Sequence, residues 1–234
     1  MNTTPSELPD APGGSLPHVL VDDIADPAVE EEDRHHLARV LRLRSGDPLS
    51  VADGRGSWRW CVFDGDAIEP LSEVCFVEEP TPRLTVGFAL IKGSKPEFVV
   101  QKLTELGLDS IVPFVAERSV VRWDESKIER MNLRLQRIGR EACMQSRRVW
   151  LPEIGPVRRF VELTGVGGVA RADRGGQPLT AAHTFVLIGP EGGWSEAEDI
   201  DGPVVGLGPN VLRAETAAVA AGALMVALRH GIVS

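Results

Sequence analysis

The residues with the clearest chemical potential lie between Thr184 and Ala218, in the stretch TFVLIGPEGGWSEAEDIDGPVVGLGPNVLRAETAA. Two apolar runs, Thr184 to Ile188 and Val204 to Leu207, each deliver the chain into a loop rich in Gly and Pro, and a helix signal follows each loop. Gly189, Gly192 and Gly193 carry no Cβ, so the first loop can turn left-handed and let a ligand lie against its backbone N–H groups. In open α/β sheets ligands settle at the carboxyl ends of strands, where loop backbone is free to bond them. Two such corners close together imply one shared site for an adenosine-type cofactor or a phosphate.

Other chemistries find little support. The chain has no G-x-G-x-x-G after a strand, no G-x-x-x-x-G-K-[ST] and no G-x-S-x-G, which argues against the usual dinucleotide fold, a P-loop nucleotidase and a serine hydrolase. His18, His35, His36, His183 and His230 are scattered, and no metal is expected. Cys61, Cys75 and Cys143 have no C-x-x-C spacing and read as buried thiols. No apolar run reaches the roughly 18 to 20 residues of a membrane span, and the N-terminus lacks the basic and apolar regions of a signal peptide, so a cytoplasmic protein is expected.

The elements that must position the two corners follow from patterning. Residues 1–16, rich in Pro, Gly, Ser and Thr, read as a flexible tail. Residues 17–79 read as a small β-barrel: a strand at His18 to Val21, a helical turn at His35 to Leu37, then turn signals at Ser45 to Pro48, Asp53-Gly54 and Asp64-Gly65 between runs rich in Val, Trp and Phe. Glu78 to Pro82 reads as a linker, and 80–234 as a second domain. There Leu84 to Ile91 and Ile111 to Val115 are strand candidates. The helix between them starts at Ser94, with Glu97 placed to close a capping box, and stops at Gly107. This β–α–β alternation implies a parallel sheet and an α/β class. After Leu151-Pro152, Val157 to Leu163 reads as helical, Gly165 to Ala172 as containing a short strand and Arg171 to Pro178 as loop. The last helix, Glu215 to His230, is apolar almost all round and must be covered on more than one side, in the core or in a subunit interface.

Charge is segregated. The chain carries a net −9, but residues 1–80 hold 17 acidic and 6 basic residues, whereas 118–159 hold 11 basic and 5 acidic. On the helix from Asp124 to Ser146, the apolar stripe Ile128, Met131, Leu135, Ile138 and Ala142 is bordered by Lys127, Arg130, Arg134 and Arg137. That ridge reads either as a solvated face or as a phosphate-contacting surface.

Three segments carry a resemblance: LIGPEGGWSEAE at Leu187 to Glu198, LGPNVLRAETAA at Leu207 to Ala218, and QKLTELGLDSIVPFVAERSVVRW at Gln101 to Trp123. They resemble the RsmE family of 16S ribosomal RNA uridine-N3 methyltransferases, of the SPOUT class, and HHLARVLRLRSGDPLSVADGRG at His35 to Gly56 is similar to that family's PUA-like barrel. The resemblance implies a SPOUT-type trefoil-knot methyltransferase domain, S-adenosylmethionine as cofactor, a homodimer formed through the C-terminal domain and action on the small ribosomal subunit. By motif position it implies a cofactor cradle of Ile188, Gly189, Pro190, Gly193, Leu207, Gly208, Leu212, Thr216 and Ala217.

Uracil N3 carries a proton at neutral pH, so the implied reaction needs a base or a cation that stabilises the deprotonated ring. Arg213 is the candidate cation, and Glu191 or Glu215 the candidate proton acceptor or orienter of Arg213; Glu215 reads equally as a helix-start acid. Implied RNA contacts are Arg39, Arg42, Arg44, Gln101, Glu105, Arg118, Arg122, Arg130, Arg134, Gln145 and Arg147. The chain departs from the family at Asn210, where Arg is frequent, and at Trp194, where Phe is common. Three alternatives remain at this point: a related enzyme methylating another RNA position such as a ribose 2′-hydroxyl, a non-catalytic RNA-binding assembly factor, and a nucleotide hydrolase.

Overall fold

The computed structural model describes residues 8–13, 15–28, 37, 43–65, 67–119, 121, 124–165, 168–199 and 202–233. The helical turn expected around His35 and His36 lies outside these residues. The chain divides into two compact units, residues 1–79 with 143–151, and residues 80–142 with 152–234.

The first unit is built on a five-stranded sheet: β1 (His18–Leu20), β2 (Asp47–Ala52), β3 (Ser57–Phe63) and β4 (Ile68–Pro70) in that order, with β5 (Cys75–Phe76) also on β3. β1 and β2 run parallel, and β2 and β3 form a hairpin from Asp47↔Phe63 to Ala52↔Trp58. Its turn closes because the Asp53 carboxylate accepts the N–H groups of Arg55 (2.8 Å) and Ser57 (3.0 Å), while Gly54 and Gly56 take positive φ. The two-residue period of β3 sends Trp58 and Trp60 to one apolar cluster, and Cys61 and Phe63 to another. Cys143 and Val149 cover the Trp face, which explains why a segment remote in sequence belongs to this unit. Within the stretch read as a tail, Leu8 and Leu16 pack on the same cluster, and the Trp60 indole donates to the Pro9 carbonyl at 3.0 Å. Cys61 and Cys143 are buried as expected; Cys75 is exposed, because the two-residue β5 presents both of its side chains to solvent.

The second unit is a parallel sheet of order β12-β10-β11-β6-β7-β8, with β9 also on β7. Its strands are β6 (Thr85–Ala89), β7 (Ser110–Val115), β8 (Glu153–Ile154), β9 (Arg158–Arg159), β10 (Val169–Pro178), β11 (Phe185–Ile188) and β12 (Val204–Gly206). Helices α1 (Lys95–Leu106), α2 (Glu125–Gln145) and α3 (Ala214–Arg229) accompany them. From β6 the chain winds outward through β7 and β8, then returns to build β10, β11 and β12 on the other side of β6. The winding thus reverses at β6 and β11, and their carboxyl ends flank the crevice where such sheets bind ligands.

The core joins Val86, Phe88, Leu103, Ile111, Leu135, Val186, Ile188, Val205 and Ala218. Fully burying a side chain of this size stabilises by about 1.5–3 kcal/mol. On α2, Leu135 and Ala142 are buried and Ile128, Met131 and Ile138 half-buried, whereas Lys127, Arg130, Arg134 and Arg137 are exposed. Small residues let α3 approach closely: a Cβ on Gly222 would stand 2.5 Å from Leu103 Cδ2.

Three local expectations are corrected. Ser94 caps α1 by position but makes no side-chain cap bond, and no capping box closes, the Glu97 carboxylate being engaged by Arg134 at 2.9 Å. Arg171 to Pro178 is strand: β10 runs from Val169 to Pro178, and a register shift between Ala172 and Gln177 absorbs its glycines. Val157 to Leu163 forms the short β9 and a 3₁₀ turn at Phe160–Glu162.

Candidate active site

The first corner begins where β11, buried along its whole length, ends at Ile188. Trp194 folds back over the next residue, so a Cβ on Gly189 would lie 2.8 Å from the indole Cε2, and only glycine fits. The indole N–H donates to the Ala172 carbonyl at 3.0 Å, and the ring stacks on Phe114 with centroids 6.1 Å apart. Phe160 tilts against it at 5.5 Å, and the Arg171 guanidinium lies 5.5 Å from the ring centroid.

The loop's far end is held by charge. Glu198 is buried and accepts the backbone N–H groups of Glu117 (2.7 Å) and Ser195 (3.0 Å). Arg171 donates to the Glu198 carbonyl and to the Asp199 carboxylate, each at 2.7 Å. These bonds close only a 3₁₀ turn, Glu196–Glu198, where a helix was expected. Arg118 reaches the Gly192 carbonyl at 3.4 Å. Loop 189–199 is therefore fastened to the residues just after β7 and to the first half of β10, while a Cβ added at Gly193, at φ +71°, would meet no atom within 4 Å.

The second corner leaves β12 through Leu207. Gly208 adopts φ +132°, and a Cβ added there would meet no atom within 4 Å, so backbone is accessible on this side too. Leu207 and Ala217 are half-buried against the core and offer an apolar wall, and Leu212 is half-buried. Arg213 is the N-cap of α3, in extended conformation and exposed. Pro190 is buried; Glu191, Asn210 and Thr216 are exposed.

Lys95, at the start of α1, ties the corners together. Its ammonium lies 3.1 Å from Glu215 Oε1 and 3.7 Å from Glu191 Oε1. Burial pushes the Glu215 carboxyl up, but its own backbone N–H, Lys95 and Arg213 outweigh that and hold it below the usual carboxylate range. Glu215 Oε2 is buried with no hydrogen-bond partner. The arrangement offers a fixed anion, a neighbouring exposed cation and accessible loop backbone at the carboxyl edge of a parallel sheet, which suits a small ligand with hydrogen-bond donors beside an acceptor of developing negative charge.

The sequence-expected RNA contacts do not all share one unit. Gln101, Glu105, Arg118, Arg130 and Arg134 belong to the second unit, and Arg44, Gln145 and Arg147 to the first; Arg39, Arg42 and Arg122 lie outside the described residues. Glu105 is bound by Lys102 at 2.7 Å, and Arg130 reaches the Ser126 hydroxyl at 3.3 Å. Arg134 is paired with Glu97, and Arg147 donates to the Leu16 carbonyl at 3.2 Å. The α2 ridge is thus partly neutralised by exposed pairs, each worth about 1 kcal/mol or less. Sequence reasoning missed Lys95, Arg171 and Glu198. Lys95 lies in the helix-start signal and Arg171 in the run read as loop, so neither stood out by spacing.

Comparison with known proteins places these features in company. Residues 77–226 match the model of an RNA methyltransferase domain family, and residues 29–69 that of an RNA methyltransferase PUA domain family. The chain is 36% identical over 221 residues to ribosomal RNA small subunit methyltransferase E of Synechocystis sp., covering 83% of this chain and 70% of that one. It is 30% identical over 220 residues to the protein of the same name in Bacillus subtilis, covering 81% and 85% respectively. In fold it is similar to a crystal structure of a ribosomal RNA small subunit methyltransferase E from Neisseria gonorrhoeae bound to S-adenosyl methionine, with TM-score 0.77 and 24% identity over 90% of this chain and 96% of that one.

Proposed function

The chain belongs to the ribosomal RNA small subunit methyltransferase E family of RNA methyltransferases, and from that premise we propose that it methylates N3 of a specific uridine in 16S ribosomal RNA on the small ribosomal subunit, using S-adenosylmethionine. The observation that carries the reading is the convergence of loops 189–199 and 207–213 with the start of α1 at the carboxyl edge of the sheet, where Lys95 links Glu191 to Glu215.

The residues present fit the cofactor. Open space at Gly193 and Gly208 leaves backbone free to bond adenine and ribose, and Leu207, Leu212 and Ala217 supply apolar contact. Ile188, Gly189, Pro190 and Thr216 complete the cradle. When bound, S-adenosylmethionine supplies a sulfonium methyl that passes to uracil N3 as the C–S bond breaks, leaving a neutral thioether. Glu215 or Glu191 accepts the N3 proton, and Arg213 stabilises the negative charge that develops on the ring. Loops 189–199 and 207–213 would orient the reacting groups toward each other and exclude water.

The first unit, residues 1–79 with the segment 143–151, positions the RNA, with Arg44 and Arg147 among its cations. On the methyltransferase domain, Arg118, Arg130, Arg134 and Gln101 are RNA contacts of their own. The target base must be splayed out of structured RNA to reach the loops. The knotted path is part of the proposal and is supported by the order β12-β10-β11-β6 of parallel strands. A homodimer through the C-terminal domain is supported by apolar side chains that α3 and its flanks leave exposed: Val211 at 72%, Leu224 at 36% and Ile232 at 74%. No helix among the described residues is long and apolar enough to cross a membrane, and cytoplasmic action follows from a ribosomal substrate.

The test is to incubate the protein with methyl-labelled S-adenosylmethionine and unmethylated small subunits, alongside naked RNA, and identify labelled nucleosides by mass spectrometry. Label in 3-methyluridine from subunits is the expected result. Label in a 2′-O-methyl nucleoside would overturn the substrate assignment, and no label despite bound cofactor would point to an assembly factor.

A further inference from the structure

Glu191 and Glu215 are both candidates for the N3 proton, but their surroundings differ. Glu191 is exposed and touches Lys95 only at 3.7 Å, whereas the Glu215 side chain is 14% exposed and meets Lys95 at 3.1 Å. One oxygen of Glu215 is thus occupied by an ammonium and the other, Oε2, is buried without a partner. A buried carboxylate oxygen left unmatched is costly to hold, so such an atom calls for a donor brought by a ligand. The geometry also orders the chain: Lys95 begins α1, Glu191 sits in the loop after β11 and Glu215 opens α3, so one side chain links the loop after β11 to the facing ends of two helices that pack on each other.

We propose that Lys95 is a positioning residue of the methyl-transfer site, clamping Glu215 through Oε1 so that Oε2 is the atom that receives the N3 hydrogen of the bound uracil. The inference rests on the methyl-transfer reading and deepens it. In the step, the N3–H bond breaks and its proton goes to Oε2. The N3 electron pair forms the bond to the methyl carbon, and the C–S pair stays with sulfur. The charged groups facing Glu215 are Lys95 from α1, Glu191 from the loop after β11, and Arg213 from the cap of α3 itself. Glu191, the exposed member, steadies the lysine, and Arg213 remains available to the ring oxygens.

Two measurements test this together. In ligand-free protein carrying carboxyl-¹³C glutamate, the Glu215 resonance is assigned with Glu215→Gln and titrated in wild type, Lys95→Met and Lys95→Arg. The midpoint is expected to move up in Lys95→Met and to return toward wild type in Lys95→Arg. With small subunits as substrate, Lys95→Met is expected to lower kcat about 10- to 100-fold with little change in KM for the RNA, and to carry the acidic limb of the pH–rate profile upward in step with the midpoint; Lys95→Arg restores both. A midpoint that does not move, or a limb that stays while the midpoint moves, overturns the inference. Wild type that forms no 3-methyluridine at all sinks the methyl-transfer reading itself, a result distinct from active wild type with indifferent Lys95 variants.

Discussion

His18 sets a pH limit on the first unit that can be worked from its contacts. The side chain is 6% exposed; its Nδ1 lies 2.8 Å from the Ser50 hydroxyl and its Nε2 is 3.0 Å from the Arg148 carbonyl. A carbonyl can only accept, so neutral His18 carries its hydrogen on Nε2 and takes the serine hydrogen at Nδ1. Burial pulls its pKa down, the Arg148 carbonyl pulls up, and the nearby Arg147 charge pulls down again, for a folded value of about 4 against 6.5. The unfolded chain therefore binds more protons between these limits. The stabilisation is fully present above the unfolded value, falls as pH drops through the window, and is lost once pH passes below the folded value. The linkage relation gives a loss of about 2 kcal/mol by pH 5 and about 3 kcal/mol below pH 4. Hydrogen exchange of the β2–β3 amides, corrected for intrinsic pH dependence, measures this in wild type and His18→Gln. Wild-type protection should fall more steeply from pH 7.5 to 5, by that 2 kcal/mol difference, since other titrating groups cancel. Equal slopes in the two proteins would refute the account.

Other outcomes follow from the second unit. Arg213→Ala should lower kcat by about 100-fold with S-adenosylmethionine affinity, read by calorimetry, little changed, because a cation that acts on developing charge contributes in the transition state. Asp109→Asn should cost about 3–5 kcal/mol in urea unfolding: Asp109 and Arg229 form a buried pair, Asp109 also accepts the Leu84 N–H at 2.8 Å, and the change strands the Arg229 charge. Gly176→Ala should weaken cofactor binding by calorimetry while Gly165→Ala, open on all sides, does not. A Cβ at 176 meets the backbone of Val205 and Gly206 and would push β12, with the loop that follows it, away from β10.

Much of this molecule could be read from its sequence, and the reasons are local. The β2–β3 and β3–β4 turns were marked by Asp-Gly pairs whose carboxylates bond the next N–H groups, and α1 ends at Gly107 with φ +102° because glycine alone takes that angle cheaply. The stripe of α2 follows the helical period. The failures share a different cause. β10 carries Asp173, Arg174, Gly175 and Gly176, poor strand formers that read as loop; these four fall in the register shift, yet pairing on either side of them, Val169–Ala172 with β11 and Arg171, Ala172, Gln177 and Pro178 with β12, carries the strand through. Tertiary pairing overrode propensity there.

The site shows the same division. Glycine and proline punctuation exposed the two corners, because backbone conformation is a property of neighbours in sequence. Lys95 could not be found that way: it lies 96 positions before Glu191 and 120 before Glu215, and it takes the parallel order β11-β6 to bring the start of α1 beside the first and the packing of α3 on α1 to bring it beside the second. The Ser94–Glu97 capping signal even pointed away from it, since the pattern accounted for the helix start without assigning the lysine any work. Glu97 then left that role for Arg134, and the α1 terminus was organised by charge from two later loops. A lysine at a helix N-terminus is placed against the helix dipole, which disfavours it by about 0.3–1 kcal/mol. Its partners Glu191 and Glu215 offset that cost, and this local conflict between residue and position marks Lys95 as held for the site rather than for the helix.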